Sequence, residues 1–240
     1  MFQKRMMIVG GCASMMLAAV AGADMIDVNF AGTGLGRNVK ISYNDWSMNV
    51  FAGQLYHQVN TPEGHWLEGG QYITYCIEIT ENVSNQVKPF MFAPLWNAPN
   101  TGEMGMMKAQ AIADMFEIAG AQAFATESTN ANRDFAAAMQ IMIWEIVYDF
   151  DGTAASLNPA DGHLKVQNTS GGTLSSGITN AFNALTLALA SGVATGSLSD
   201  FGAIVGVGVQ DQVMQIPAPA ALAMFGLAVG VTRGRSRNNA

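Results

Sequence analysis

The stretch of sequence that decides the fold is FAAAMQIMIW, residues 135–144. Apart from Gln140 every residue in it is apolar, so a helix formed here is apolar on nearly every face and must be buried. The surrounding pattern predicts that this helix covers residues 132–148, with its cap among residues 128–130. A buried amide left without a hydrogen-bond partner costs about 1–3 kcal/mol, so Gln140 needs a partner inside the protein. Trp144 follows one turn later on the same face, where its ring can exclude water.

The sequence on both sides of this helix predicts an α+β domain. Four stretches in the N-terminal half have the apolar alternation or the bounding turn residues of strands: 25–30, 39–43, 48–56 and 71–79. Two further helices are predicted at 105–119 and 178–190, and a closing, glycine-containing strand at 201–214. The predicted architecture is an antiparallel β-sandwich or barrel with a helical insertion that carries Gln140. No linker or charge run divides residues 24–215, so we expect one domain there.

Composition narrows the class of protein. Of the 240 residues, 50% are hydrophobic and only 12% are charged, about half the charged fraction of an average globular protein. Six basic residues and all 18 acidic residues lie within 24–215, so this part carries a net charge of −12, which argues against a nucleic-acid partner. The two cysteines and three histidines lack metal-site spacing. No phosphate-binding, dinucleotide-binding or nucleophile–base–acid motif occurs, so we expect neither a cofactor nor enzymatic turnover.

Residues 1–23 have the three parts of a secretory signal peptide. Lys4 and Arg5 form the positive start, residues 6–20 form the apolar stretch, and Ala-Gly-Ala at 21–23 is a small-residue cleavage site. Cys12 also loosely suggests a lipoprotein signal, but the apolar run continues well beyond it, which favours cleavage after residue 23. We therefore expect export, and a mature protein with a single cysteine.

The C-terminal residues 216–240 also have three parts in a fixed order. Pro217 and Pro219 come first, and an apolar run of about 12 residues follows at 221–232, which is of marginal length for a stable transmembrane helix. A cluster of arginines completes the segment: Arg233, Arg235 and Arg237. An amphipathic helix packed on the core is the alternative, but the apolar run has no polar face.

This layout closely resembles the PEP-CTERM sorting signal of bacterial exopolysaccharide-associated proteins, with Ala218 where most members have glutamate. The resemblance implies an exosortase-type processing enzyme as a partner and transient anchoring in the inner membrane. It also implies a final location in the envelope, at the cell surface or in the extracellular matrix of a Gram-negative-type bacterium.

The remaining cysteine, Cys76, lies in ITYCIEI, residues 73–79. If this strand alternates, Cys76 shares a face with Thr74 and Glu78, opposite Tyr75. A lone cysteine is most often a small buried hydrophobic residue. A free thiol in an exported protein is nevertheless notable, because oxidising compartments favour disulfides.

YCI at residues 75–77 and QIMIW at residues 140–144 resemble the thioester domains of bacterial surface adhesins. In those domains a Tyr/Phe-Cys motif on a strand pairs with a helical Thr-Gln-x-Ala-Ile/Val-Trp motif. The resemblance covers roughly residues 49–151, with methionine at 139 and 142 where the family has Thr and Ala. It implies a thioester between the Cys76 sulfur and the Gln140 side-chain carbonyl, formed with loss of ammonia in a pocket that includes Tyr75 and Trp144. An amine on a partner would then be acylated in a single-use binding reaction.

Two functions follow from these observations. The first is a covalent adhesion module that attaches to amines on a cell, a matrix polymer or a host. The second is a structural protein of the envelope or exopolysaccharide, in which Cys76 and Gln140 are unreactive core residues. A hydrolytic enzyme is a distant third. Four residues are candidates for the base that assists thioester formation, and the sequence does not rank them: His57, His65, Tyr75 and Glu78.

Overall fold

The computed structural model describes residues 25–99 and 101–217. The predicted signal peptide at 1–23 lies outside these ranges. The predicted C-terminal signal also lies outside them, except for Ile216 and Pro217. Within the described ranges, no helix is long and apolar enough to cross a membrane.

The described part of the chain contains seven strands and three α-helices, which confirms the α+β class. In chain order the elements are β1 Met25–Tyr43, β2 Trp46–Asn60, β3 Gly70–Cys76, β4 Lys88–Pro94, α1 Gly105–Ala119, α2 Asn130–Tyr148, β5 Leu164–Gln167, α3 Ser176–Ala190, β6 Phe201–Gly206 and β7 Val209–Gln215. The three helices agree with the predicted helices to within two residues at each end. All of them follow β4 and precede β6, so the helices are inserted between strands of one sheet.

All strand pairings in this sheet are antiparallel, and the strand order is β2-β3-β7-β6-β4-β1-β5, with an additional pairing of β1 with β2. β1 is long enough to pair with three strands. Its start pairs with β4, its end pairs with β5, and β2 runs beside it over most of its length. β1 therefore joins the two ends of the sheet.

The two strands predicted at 25–30 and 39–43 are the ends of the single strand β1. The glycine-rich residues between them continue the strand through two register shifts against β2, at Phe30/Gly32 and Thr33/Gly36. The backbones of β1 and β2 approach closely here. Gly53 has φ +152°, and a Cβ at that position would overlap the carbonyl oxygen of Leu35. Glycine in this region permits a bulged strand rather than interrupting the strand.

The predicted closing strand at 201–214 is a hairpin of two strands, β6 and β7. Val207 and Gly208 form the turn between them, and Gly208 has φ +69°, a conformation that glycine adopts without strain. β4 and β5 were not predicted. β5 has only four residues, and β4 contains proline at both its second and its last position, so neither presents a strand pattern.

The core is built around α2. Every residue of α2 from Ala136 to Val147 is buried, as the apolar sequence predicts. The helix contacts α3, β2 and β1 most extensively, and β3, α1 and β5 less. A second, smaller hydrophobic cluster lies on the opposite side of the strands, because the adjacent residues Val213 and Met214 belong to different clusters. The sheet is therefore covered by apolar side chains on both sides.

Candidate functional site

The first turn of α2 fixes where the helix begins. The side chain of Thr129 caps the helix by accepting a hydrogen bond from the backbone N–H of Asn132 at 3.1 Å. Arg37 of β1 forms an ion pair with Asp134 at 2.7 Å and donates to the side chain of Asn130 at 2.9 Å. These contacts attach the start of α2 to the sheet, and the helix then carries Gln140 into the core.

Gln140 uses both ends of its side-chain amide to bind the backbone of Cys76. The Cys76 N–H donates to Gln140 Oε1 at 2.9 Å, and Gln140 Nε2 donates to the Cys76 carbonyl oxygen at 2.7 Å. Gln140 is 1% exposed and Cys76 is 3% exposed. The partner that a buried glutamine requires is thus the same residue that carries the lone thiol.

This pairing occurs where β3 loses one of its neighbours. β2 pairs with β3 only as far as Thr74, opposite Leu55, whereas β7 continues to pair at Cys76. The next N–H on the β7 side, that of Ile77, donates to the backbone carbonyl oxygen of Asp211. The N–H and C=O of Cys76 point to the side that β2 has left, and the Gln140 amide satisfies both of them in its place.

The Cys76 thiol is held protonated. Its Sγ donates to the backbone carbonyl oxygen of Glu78, and the indole of Trp144 lies beside it. Burial raises the pKa of the thiol to about 12, although the adjacent Trp144 indole and the hydrogen bond to the Glu78 backbone lower it. The carboxylates of Glu78 and Asp211 raise it further. At neutral pH this sulfur is therefore a weak nucleophile unless a base removes its proton.

The two residues expected to line the pocket lie in different surroundings. Trp144 is 2% exposed and adjacent to the thiol. The hydroxyl of Tyr75 instead donates to the carbonyl oxygen of Ala123 at 2.6 Å, and its ring packs edge-on against Phe116. The structure therefore brings together Cys76, Gln140 and Trp144, while Tyr75 links β3 to the segment that follows α1.

All four candidate bases have at least one hydrogen-bond partner, and for Glu78 it is the Thr80 hydroxyl at 2.7 Å. His57 is buried, its Nδ1 lies 2.8 Å from Thr74 Oγ1, and burial lowers its pKa to about 4. His65 contacts the backbone of Leu67. The hydroxyl of Tyr75 donates to the carbonyl oxygen of Ala123. Two of the four keep one buried polar atom that has no hydrogen-bond partner among the described residues, His65 Nε2 and Glu78 Oε2. The His65 ring packs beside Trp66, which lies against the smaller cluster on the other side of the strands from Cys76.

Further polar residues that sequence reasoning missed hold the segment after β3. Gln210 Nε2 donates to the carbonyl oxygens of Glu78 and Glu81 at 3.0 and 3.1 Å. The hydroxyl of Tyr148, at the end of α2, accepts from the Ile79 N–H at 3.1 Å. The available signal was QDQ at 210–212, three consecutive polar residues in an otherwise apolar strand. These residues fix the path of the chain around Glu78.

A surface cavity of about 380 Å³ lies next to this segment. Thr80 and Tyr148 form part of its wall, together with Tyr43, Glu103 and Lys108. Thr80 and Tyr148 are also the residues that contact the Glu78 carboxylate and the Ile79 backbone, so they separate the cavity from the buried site. Within the described chain, no group of three His, Cys, Asp or Glu residues is placed to hold a metal ion.

Comparisons with protein-family models, curated proteins and solved structures gave no match to this chain.

Proposed function

We propose that this protein is an exported adhesion module that attaches covalently to a partner through a thioester between Cys76 and Gln140. The observation that carries the proposal is the pairing of the Gln140 amide with both backbone polar groups of Cys76, at 2.9 and 2.7 Å. Because the N–H and C=O of a residue flank its Cα, this pairing aligns the amide carbon with the Cα from which the thiol branches.

The chemistry follows from this placement. The Cys76 sulfur attacks the Gln140 side-chain carbonyl carbon, an S–C bond forms, the C–N bond breaks, and ammonia leaves. Holding the two groups together replaces a bimolecular encounter with an effective concentration of about 10⁵ M or more. The burial of both residues protects the acyl group from water until an amine of a partner attacks it. That attack leaves an amide on Gln140 and restores the Cys76 thiol.

The proposed location and partners rest on the terminal segments and on charge. Residues 1–23 and 216–240 support export, processing by an exosortase-type enzyme and transient anchoring in the inner membrane. The acceptor would be an amine-bearing polymer of a cell surface or matrix. The net charge of −12 on residues 24–215 attracts cationic amines at long range. We also propose the sandwich or barrel form of the sheet, supported by the additional pairing of β1 with β2.

A second candidate function is a structural envelope or exopolysaccharide protein in which the pair does not react. It is favoured by the same hydrogen bonds, because they already satisfy the Gln140 amide and the Cys76 backbone. The pKa of about 12 for the thiol also favours it. In this case Gln140 serves only to complete the hydrogen bonding of β3 at the point where β2 stops pairing with it.

The intact mass of the purified full-length chain distinguishes the two functions. The adhesion module has a mass lower by one ammonia than its sequence requires. Cys76→Ala restores the full mass, and methylamine converts the deficit into an adduct on Gln140. A full mass in the wild-type chain, together with two free thiols after denaturation, those of Cys12 and Cys76, contradicts the thioester and leaves the structural function.

A further inference from the structure

The carboxyl group of Glu78 is buried with one oxygen unpaired. Glu78 is 1% exposed, and its Oε1 accepts a hydrogen bond from the Thr80 hydroxyl at 2.7 Å. Its Oε2 is buried and has no hydrogen-bond partner among the described residues. Burying an acceptor in this way costs free energy, so an unpaired oxygen in a core calls for an explanation.

A second unpaired polar group lies in the same place. The indole N–H of Trp144 is buried, and it too has no partner by hydrogen-bond geometry in the described part of the chain. Both groups act on the Cys76 thiol: the indole favours its ionised form, and the Glu78 carboxylate opposes it. The Cys76 Sγ also donates to the backbone carbonyl oxygen of Glu78, so this residue lies against the thiol, and an unused acceptor and an unused donor both belong to residues that affect its ionisation.

The other polar groups near the Cys76 thiol bind other partners or lie towards the surface. The hydroxyl of Tyr148 accepts from Ile79, and Glu81 lies on the surface side of the segment. Asp211 accepts from the Gly206 N–H at 2.9 Å inside the β6–β7 hairpin. Of the four candidate bases, Glu78 is the one that lies two residues from Cys76 and keeps a free carboxylate oxygen.

We propose that Glu78 is the general base that takes the proton of the Cys76 thiol and delivers it to the leaving amino group of Gln140. This inference rests on the thioester proposed above. The S–H proton moves to Glu78 Oε2 as the sulfur attacks the Gln140 carbonyl carbon. When the C–N bond breaks, Glu78 returns the proton to the nitrogen, which leaves as ammonia, and the carboxylate is regenerated. The Trp144 N–H stabilises the negative charge on sulfur.

The same group serves the reverse direction. When an amine attacks the thioester carbonyl, Glu78 accepts a proton from the attacking nitrogen and gives it to the departing Cys76 sulfur. Atoms and charge balance in both directions without any additional reagent. Loss of Glu78 should therefore slow both ammonia release and acylation of an amine.

The test follows ammonia release during refolding of the full-length chain. Protein is recovered in reducing denaturant, its mass is checked to confirm an intact Gln140 amide, and refolding is started by dilution. Glu78→Gln keeps an acceptor for the Thr80 hydroxyl but removes the base, so we expect release to slow by about 10²–10⁴-fold. Glu145→Gln is the matched control, since Glu145 is also buried with one unpaired oxygen, and we expect the wild-type rate.

Two results overturn the inference. One is a wild-type rate in a Glu78→Gln variant that melts cooperatively. If Glu78→Gln does not fold, we compare Glu78→Asp with Glu78→Asn. These two side chains have equal size, and only that of the Asp variant carries a carboxylate. We expect the Asp variant to react at least tenfold faster, and equal rates of the two are the second contradicting result. Absence of ammonia release in the wild-type chain instead contradicts the thioester itself, so the two failures are distinguishable.

Discussion

The side-chain amide of Gln140 forms the two hydrogen bonds with the Cys76 backbone that a neighbouring strand would otherwise form. It accepts from the Cys76 N–H at 2.9 Å and donates to the Cys76 carbonyl oxygen at 2.7 Å. β2 stops pairing with β3 two residues earlier, at Leu55 opposite Thr74, so without Gln140 the N–H and C=O of Cys76 would be buried and unpaired. This relationship serves two purposes. It completes the hydrogen bonding of the sheet, and it places an amide next to a thiol.

Gln140→Ala should therefore destabilise the fold even where no thioester can form. In a Cys76→Ala background the backbone of residue 76 remains but the sulfur is absent. Adding Gln140→Ala leaves two buried backbone groups unpaired at about 1–3 kcal/mol each, so we expect the free energy of unfolding to fall by about 2–5 kcal/mol. Urea unfolding of the single and double variants measures the difference.

The control for this experiment is Gln58→Ala. Gln58 is only partly buried, and its side chain makes one long contact, 3.4 Å, to the adjacent Val59. We expect its removal to change the free energy of unfolding by no more than about 0.5 kcal/mol. A similarly small loss for Gln140→Ala would show that the amide is not needed to satisfy the sheet.

The Cys76 thiol should be unreactive in the folded protein even when it is free. Burial raises its pKa to about 12, so at pH 8 its thiolate fraction is about 1000-fold lower than that of an ordinary thiol of pKa 9. In a chain carrying Cys12→Ala, so that Cys76 is its one cysteine, we expect no modification by a thiol reagent under native conditions after methylamine has opened the thioester, and one equivalent in guanidinium. Rapid modification of the native, methylamine-treated chain would contradict this prediction. Thiol titration must therefore be done on denatured protein.

The sequence predicts some parts of this structure well because their signals are local. Residues 135–144 are apolar on every face, and this alone requires a buried helix with a paired Gln140. The structure confirms both. The identity of that partner is not local, since it depends on β2 pairing with β3 only as far as Leu55 opposite Thr74, which leaves Cys76 without a neighbouring strand on that side. The resemblance to thioester domains connected the two residues, whereas composition alone did not.

Other features had no local signal at all. β1 contains glycines at 32, 34 and 36 that normally interrupt a strand, yet bulges against β2 carry the strand through them. The choice of Glu78 among the four candidate bases depends on its having one carboxylate oxygen without a hydrogen-bond partner, and only the three-dimensional contacts reveal that. Tyr75, expected in the pocket, extends instead to Ala123.

The contact of Tyr75 with Ala123 leads to a prediction that separates its structural task from the chemistry. Tyr75→Phe removes the hydroxyl that donates at 2.6 Å to a carbonyl oxygen, which Gln54 Nε2 also contacts at 3.0 Å. Because Gln54 still satisfies this oxygen, we expect a loss of about 1 kcal/mol in the free energy of unfolding. Ammonia release should keep its wild-type rate. A strong decrease in that rate would place Tyr75 in the reaction.

Glu145 should make the protein less stable as the pH rises. Its side chain is fully buried, and only one oxygen has a partner, the Asn158 N–H at 3.1 Å. Burial, and then the nearby Asp149, raise its pKa from 4.5 to about 8. Between pH 4.5 and about pH 8 the folded state holds a proton that the unfolded state has released. The stabilisation that is present below pH 4.5 is therefore lost as the pH rises to about 8, and the free energy of unfolding falls by no more than about 1.4 kcal/mol per pH unit. Glu145→Gln removes this titration, so its stability relative to wild type should increase from pH 5 to pH 9 in urea unfolding. A constant difference between Glu145→Gln and wild type across this range would mean that Glu145 is ionised in the folded protein.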